Sequence, residues 1–430
     1  MSDPIIPDPP GPSALPIIPN PPGPPALPVS PLRLLPEGSV TSPLGFVAGA
    51  VAAGIKPGGR LDLGLLYSEE PCTAAGLFTR NRVKAAPVLV SQRHLAPGQA
   101  RAVVVNSGCA NACTGPQGME DAEAMAALAA ARLGLRPEAV LVASTGVIGR
   151  ALPMERVRGA LERIALSREG GDDLALAIMT TDTVPKKGAV RFHWRGREYT
   201  IGGIAKGAGM IHPDMATMLA FLTTDAPVER GLLEDALRQA VDASFHMVTV
   251  DGDTSTNDTV ILLANGAAGG DLLKGSSQEA PVFTAALESL CIDLARAIAG
   301  DGEGATKCIE VQVRGALSTV EARRAARFVA GSLLVKTAVH GGDLNWGRVL
   351  AALGACGAAF EEGQAILHLG PVCVYRLGAP TAYDEAEARG ALMGRDVLLG
   401  IDLGLGDGVA TAWGCDISEE YVRLNSEYTT

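Results

Sequence analysis

A single hydroxyl stands inside an otherwise apolar run in the stretch GMIHPDMATML, Gly209 to Leu219. That residue, Thr217, follows a turn-forming glycine and proline and precedes Met218 and Leu219. Threonine suits a pleated, half-buried surface, so strand filler is one reading. The other is nucleophilic, because a threonine hydroxyl attacks an acyl carbon once a base takes its proton. More hydroxyls crowd the ends of apparent strands, in Ser144-Thr145-Gly146, in Thr180-Thr181-Asp182-Thr183 and in DTSTNDT (253–259). Each run alone has the composition of an ordinary turn. GGIAKGAGM (202–210) lacks the Gly-Lys-Ser/Thr ending of a phosphate-binding loop, and no GxGxxG follows a strand. GxSxG, HExxH and CxxC are missing too, so neither a serine elbow nor a metal site is expected.

The chain that must position these groups has 430 residues, 47% hydrophobic and 19% charged, with 52 glycines and 4% aromatics. Such a balance describes a globular protein with close backbone packing and many tight turns. From about Gly38, strand-like runs alternate with helices rich in small residues. LDLGLLYS (61–68), APVLVS (86–91), RAVVVNSG (101–108) and AVLVASTGVIG (139–149) predict strands, the last ending abruptly in Ser-Thr-Gly. DAEAMAALAAARLGL (121–135) predicts an alanine-rich helix closed by Gly134, with further helices near 153–164, 229–243, 281–299 and 346–355. RFHWRG and REYTIGG predict a hairpin turning at Gly196. Its basic neighbours Lys186, Lys187, Arg191, Arg195, Arg197 and Lys206 read mostly as a solvated face. Beyond about residue 308, strands predominate, with two helices. Mixed elements without a clean βαβ rhythm predict an α+β fold of mixed α/β layers.

A net charge of −11 argues against nucleic-acid or anionic-membrane partners. The apolar run Leu44 to Ile55 is too short to cross a bilayer, and no secretory leader pattern opens the chain, so a cytoplasmic protein is expected. The eight cysteines are scattered singly and read as small buried hydrophobes in a reducing compartment. Residues 5–28 are a tandem repeat, IIPDPPGPSALP then IIPNPPGPPALP, whose prolines suit a stiff polyproline extension and cannot build a sheet or helix.

Six stretches in order resemble the glutamate N-acetyltransferase (ornithine acetyltransferase) family of arginine biosynthesis. They are NSGCANACTG (106–115), ASTGVIG (143–149), KGAGMIHPDMATML (206–219), DGDTSTNDT (251–259), NWGR (345–348) and NSEYTT (425–430). The resemblance covers about residues 39 to 430. It implies self-cleavage between Ala216 and Thr217, dividing the chain into a proline-rich extension (1–38), an alpha chain (39–216) and a beta chain (217–430). The freed Thr217 would be the nucleophile and its α-amine, with a pKa of about 7.7–8.0, the base. The family further implies the Thr145 hydroxyl and the Gly146 N–H as oxyanion donors. Thr180, Lys206, Thr217, Glu303, Asn425 and Thr430 would bind substrate, with Lys206 suited to a carboxylate and Glu303 to an ammonium. The implied reaction is ping-pong acetyl transfer from N-acetylornithine to glutamate, without metal or cofactor, acetyl-CoA being a possible co-substrate. The implied assembly is a heterotetramer of two alpha and two beta chains. VHGGDLNWGR (339–348) departs from the usual family form around His340 to Leu344, which leaves the contacts of that loop open. Two other readings stand beside this one: a self-cleaving aminopeptidase or amidase passing the acyl group to water, and a non-catalytic scaffold displaying the proline repeat.

Because the proline repeat has no pattern that could pack on a core, deleting residues 1–30 should change neither activity nor Tm. Thermal melts and acetyl-transfer assays of the truncated protein check this; a large loss of either would make the extension structural.

Overall fold

The computed structural model describes residues 32–212, 218–277 and 280–427. The proline repeat, Ala216, Thr217 and Thr430 lie outside the described residues. The strands in chain order are β1 (Arg33–Leu35), β2 (Phe46–Val51), β3 (Leu63–Phe78), β4 (Gln99–Cys109), β5 (Val140–Val147), β6 (Lys186–Trp194), β7 (Arg197–Lys206), β8 (Leu219–Thr224), β9 (Val248–Thr249) and β10 (Thr259–Ala264). They continue as β11 (Cys308–Ala316), β12 (Ile366–Leu369), β13 (Val372–Arg376), β14 (Ala379–Pro380), β15 (Asp396–Asp402) and β16 (Gly408–Cys415). The helices are α1 (Ala86–Leu95), α2 (Gly115–Leu133), α3 (Met154–Leu161), α4 (Gly171–Ala177), α5 (Arg230–Ala243), α6 (Ala280–Gly300), α7 (Thr319–Gly331), α8 (Leu333–Gly341), α9 (Trp346–Ala355), α10 (Glu385–Met393) and α11 (Glu419–Glu427).

Two sheets result. The larger runs β1-β6-β7-β8-β10-β3-β4-β5, with β2 also paired to β3; the smaller runs β14-β13-β12-β15-β11-β16-β9. Two parallel pairs, β8 with β10 and β4 with β5, sit within the otherwise antiparallel larger sheet. Central strands are apolar on both sides because both faces are covered. In β10, Val260 and Leu262 join one core while Ile261 and Leu263 join another, and β8 divides Ala220 and Leu222 from Leu219 and Phe221 in the same way. That is the period-two alternation of a strand buried on both faces. Helix α6 touches β6 and β7 of the larger sheet and β11 and β16 of the smaller one, while α5 packs along it. Helices α1 and α2 pack on β5 at the other end, and α3 on α2.

The predicted α+β layering holds, while the expectations for APVLVS and for the helices beyond residue 308 do not. APVLVS is the start of α1 rather than a strand. Pro87 lies in its first turn, and Pro87, Val90, Ser91 and His94 are all buried at helical spacing. A short apolar run cannot by periodicity alone distinguish strand from helix, and a proline in the first turn favours the helix. Among the described residues, the region beyond residue 308 holds five helices instead of two. Two of them carry caps at their starts: Ser318 Oγ accepts the Glu321 N–H, and Asp384 accepts the N–H groups of Ala386 and Glu387. The segment at 339–348 spans the end of α8, a short connection (342–345) and the start of α9. Its His340 Nδ1 lies 2.7 Å from Asp416 Oδ2. Six of the eight cysteines are buried as expected, but Cys113 is exposed and Cys373 half-buried. No helix among the described residues is long and apolar enough to cross a membrane.

Phe221 is fully buried between β8's neighbours. Phe221→Ala should cost about 3–5 kcal/mol, the range for deleting a buried aromatic side chain, and lower the denaturation midpoint. An unchanged midpoint would mean that the central strands unfold separately from the rest.

Candidate active site

The ends of β4 and β5 form one corner of the site. Thr145 and Gly146 of β5 lie opposite Ser107 and Gly108 of β4. Gly146 has φ +128°, and a Cβ added there would sit 2.5 Å from the Gly108 carbonyl carbon. Only glycine tolerates both conditions. The hydroxyl-rich runs brace this corner. Ser144 Oγ donates to Asn106 Oδ1 at 2.6 Å, and the Asn257 amide donates to the carbonyls of Ala110 (2.6 Å) and Ser144 (2.9 Å).

A cavity opens beside the corner, lined by Thr145, Gly146, Thr180, Lys206, Glu303 and Asn425. These six come from the end of β5, the segment after α4, the end of β7, the turn after α6, and α11. Gly209 and Asn257 also border the cavity. The Glu303 carboxylate lies against Gly209, so closely that a Cβ there would meet Glu303 Cδ at 2.4 Å. Asn425 Nδ2 donates to Glu303 Oε2 at 2.8 Å, and the Glu303 N–H donates to the Ala208 carbonyl at 2.8 Å. This end of the cavity is acidic; the end at Lys206 is basic.

Behind the basic end is a buried charge cluster. Lys186 Nζ lies 2.7 Å from Asp182 Oδ1 and 2.6 Å from Asp301 Oδ2. Lys206 Nζ lies 4.0 Å from Asp182 Oδ2 and 3.3 Å from Thr145 Oγ1. Asp182 also accepts the N–H groups of Thr180 (3.0 Å) and Gly207 (2.7 Å). Thr183 donates its N–H and hydroxyl to Asp301. Burial alone would raise the Asp182 carboxyl, but Lys206, Lys186 and these hydrogen bonds outweigh it and hold it well below the usual carboxylate range. Lys186 and Lys206 are therefore not part of a solvated hairpin face. Lys187 and Arg191 are half-buried, and the exposed part of the hairpin is its turn end, at His193 and from Arg195 to Glu198. Lys186 and Lys206 are buried because their acidic partners, distant in sequence, arrive at the strand ends.

A further acid marks the start of β8. Asp258 Oδ1 accepts the Met218 N–H at 3.0 Å, while Oδ2 has no partner among the described residues. Burial pushes this carboxyl well up, which favours its neutral form.

Six of the expected site residues thus share one cavity, while Ala216, Thr217 and Thr430 lie outside the described residues. Sequence reasoning assigned no role to Asp182, Lys186, Asp301, Asn257 or Asp258. Asp182, Asn257 and Asp258 sit in runs that read as turns. Their signal, acids and amides beside hydroxyls at strand ends, acquires meaning only once the strands are paired.

Comparison with known proteins gives a consistent picture. The family model described as the ArgJ family matches residues 47–430. The arginine biosynthesis bifunctional protein ArgJ of Symbiobacterium thermophilum is 55% identical over 397 residues, spanning 91% of this chain and 99% of that one. Its counterpart in Dehalococcoides mccartyi is 51% identical over 399 residues, spanning 92% and 98%. A solved structure of ornithine acetyltransferase complexed with ornithine from Mycobacterium tuberculosis is 47% identical, covers 43% of this chain and 98% of its own, and has a TM-score of 0.40.

The charge cluster sets an acid limit on stability. Asp182 has a depressed folded pKa, so its contribution is fully present above the unfolded value of about 3.9 and is lost as pH falls through the lower folded value. Wild type should lose stability on acidification below about pH 4. Asp182→Asn should be less stable at pH 7, because Lys206 loses its nearest carboxylate and Lys186 one of its two, and should lose less between pH 4 and lower pH. Melting curves from pH 7 to 3 test this; parallel profiles for the two proteins would contradict it.

Proposed function

The chain belongs to the ArgJ family, and from that premise we propose that it transfers acetyl from N2-acetyl-L-ornithine to L-glutamate through an acetyl-threonine. The observation that carries this reading is the cavity, where Thr145 and Gly146, Thr180, Lys206, Glu303 and Asn425 meet from five segments of the chain. One wall is cationic and the other anionic, as a substrate with a carboxylate and a distal ammonium requires. Lys206 suits the carboxylate; Glu303, steadied by Asn425, suits the ammonium.

Self-cleavage between Ala216 and Thr217 gives Thr217 a free α-amine. This amine takes the hydroxyl proton as Oγ attacks the acetyl carbonyl. The oxyanion that forms accepts hydrogen bonds from the Thr145 hydroxyl and the Gly146 N–H. Collapse expels the α-amine of ornithine, which takes up the proton, and leaves acetyl on Thr217 as an ester. The α-amine of glutamate then attacks this ester, returning the threonine hydroxyl and releasing N-acetylglutamate. Several features support placing the nucleophile here. Met218, next to Thr217 in sequence, has its N–H held by Asp258. The preceding residue, Asn257, lines the cavity, and one peptide bond joins residue 217 to Met218. Both curated relatives are described as bifunctional, and acetylation of glutamate from acetyl-CoA, entering the same acetyl-threonine, is the second activity in the proposal. The working form is a cytoplasmic heterotetramer of two alpha and two beta chains.

On a denaturing gel the purified protein should run as two chains of similar size, with N-terminal sequencing of the second giving Thr-Met-Leu-Ala. Thr217→Ala should remain uncut and inactive. With N-acetylornithine alone the enzyme should stop after acetylating itself, and turnover should require glutamate. A single uncut chain that is fully active would overturn the mechanism, and continued ornithine release without glutamate would make the protein a hydrolase.

A further inference from the structure

Lys206 is tied to the cavity by two different partners. Its carboxylate partner is distant: Asp182 Oδ2 stands 4.0 Å away and already accepts the Thr180 N–H at 3.0 Å. Lys186, by contrast, takes close contacts with both Asp182 and Asp301, at 2.7 and 2.6 Å. The nearest acceptor to Lys206 Nζ among the described residues is Thr145 Oγ1, at 3.3 Å.

The chemistry of the two groups fixes the direction of that contact. An ammonium has three protons and no lone pair, whereas a hydroxyl has one proton and two lone pairs. As an ammonium beside Asp182, Lys206 donates and Thr145 accepts. The Thr145 proton is then free to point elsewhere, and the side chain borders the cavity. We propose that Lys206 acts through Thr145, its ammonium holding the hydroxyl oxygen so that the hydroxyl proton faces the developing oxyanion and is a stronger donor. This rests on Thr145 being the oxyanion donor, and gives Lys206 a role beyond gripping a substrate carboxylate.

Two physical effects favour such a relay. A hydrogen bond accepted from a cation polarises the hydroxyl, and in a buried setting each bond of such a chain strengthens the next. The cation is also held in place before reaction begins, as Lys206 is fully enclosed and Asp182 is fixed by two backbone N–H groups and by Lys186. Preorganised charge of this kind needs no rearrangement when the oxyanion appears. Burial pulls the Lys206 ammonium down, while the Asp182 charge opposes this.

A double-mutant cycle on the self-cut enzyme separates this role from a carboxylate grip. Thr145→Ala should lower kcat by about 10²–10³-fold. Lys206→Met should lower kcat by about tenfold or more in the wild-type background. In the Thr145→Ala background it should lower kcat little further, because the group it works through is gone. Thr145→Ser, which keeps the hydroxyl, should restore sensitivity to Lys206. Lys206→Gln provides a second series should the Met variant fail to fold, with thermal melts of every variant as the check. Losses in kcat that simply multiply, or a Lys206 effect confined to KM, would overturn the proposal and leave the oxyanion assignment standing. A wild-type kcat for Thr145→Ala would instead remove that assignment, and the proposal with it.

Discussion

A carboxylate taken out of water must be met by positive charge and hydrogen bonds, or it will not stay ionised. Asp182 satisfies this demand with four partners drawn from three places in the chain: Lys186 at the start of β6, the N–H groups of Thr180 and Gly207, and Lys206 at the end of β7. Much of the site's geometry depends on that satisfaction. Thr180 is held by its backbone, Lys206 is aimed past Asp182 at Thr145, and the turn at Gly207 leads to Gly209, on which Glu303 rests. Asp301 completes the balance, so two acids and two lysines share the enclosed space. Loss of any one leaves an uncompensated charge, which costs far more than a missing surface ion pair.

Sheet topology brings these pieces together. β8 and β10 lie side by side although α5 separates them in sequence, and their parallel register sets Leu219 opposite Thr259. The acid-rich run ahead of β10 is thereby delivered to the start of β8, and Asn257 reaches across to the ends of β4 and β5. Helix α6 touches both sheets and ends at Gly300, just before Asp301 and Glu303. A rigid helix bridging two layers thus fixes both the acid behind Lys186 and the acid facing the cavity. Precision of this kind is easier to build on packed elements than on free loops.

Much of this was readable before the fold was known. The long periodic elements are plain: the alanine-rich helix, the strands at 61–68, 101–108 and 139–149, and the hairpin at Gly196 stand where their patterns put them. The six site residues that line the cavity were named from motif resemblance, since nothing in composition links Thr145 to Asn425. Capping residues such as Ser318 and Asp384, and Pro87 in the first turn of α1, are local signals of helix starts that the sequence carries. The charge cluster was not legible at all. Lys186 lies 115 residues from Asp301, and only the pairing of β6 with β7 and the endpoint of α6 bring them within 2.6 Å. From spacing alone, a lysine at the start of a hairpin strand looks the same whether it faces water or a buried acid.

The seat of β8 has a consequence for how the molecule is made. This strand is internal to the larger sheet, bonded to β7 on one side and β10 on the other. The proposed cut just ahead of it would sever the covalent link between β7 and β8, which are laced together along the whole of β8. The two pieces would then remain a single body without a shared backbone. The reverse order would be far less forgiving. Made as separate polypeptides, the first would present β7 as a bare edge and the second would begin with a strand unpaired on one side, both templates for wrong association. Intact chain keeps the partners at high effective concentration while the sheet closes. The continuous polypeptide therefore acts as its own assembly scaffold, one that can be dispensed with once the sheet has formed.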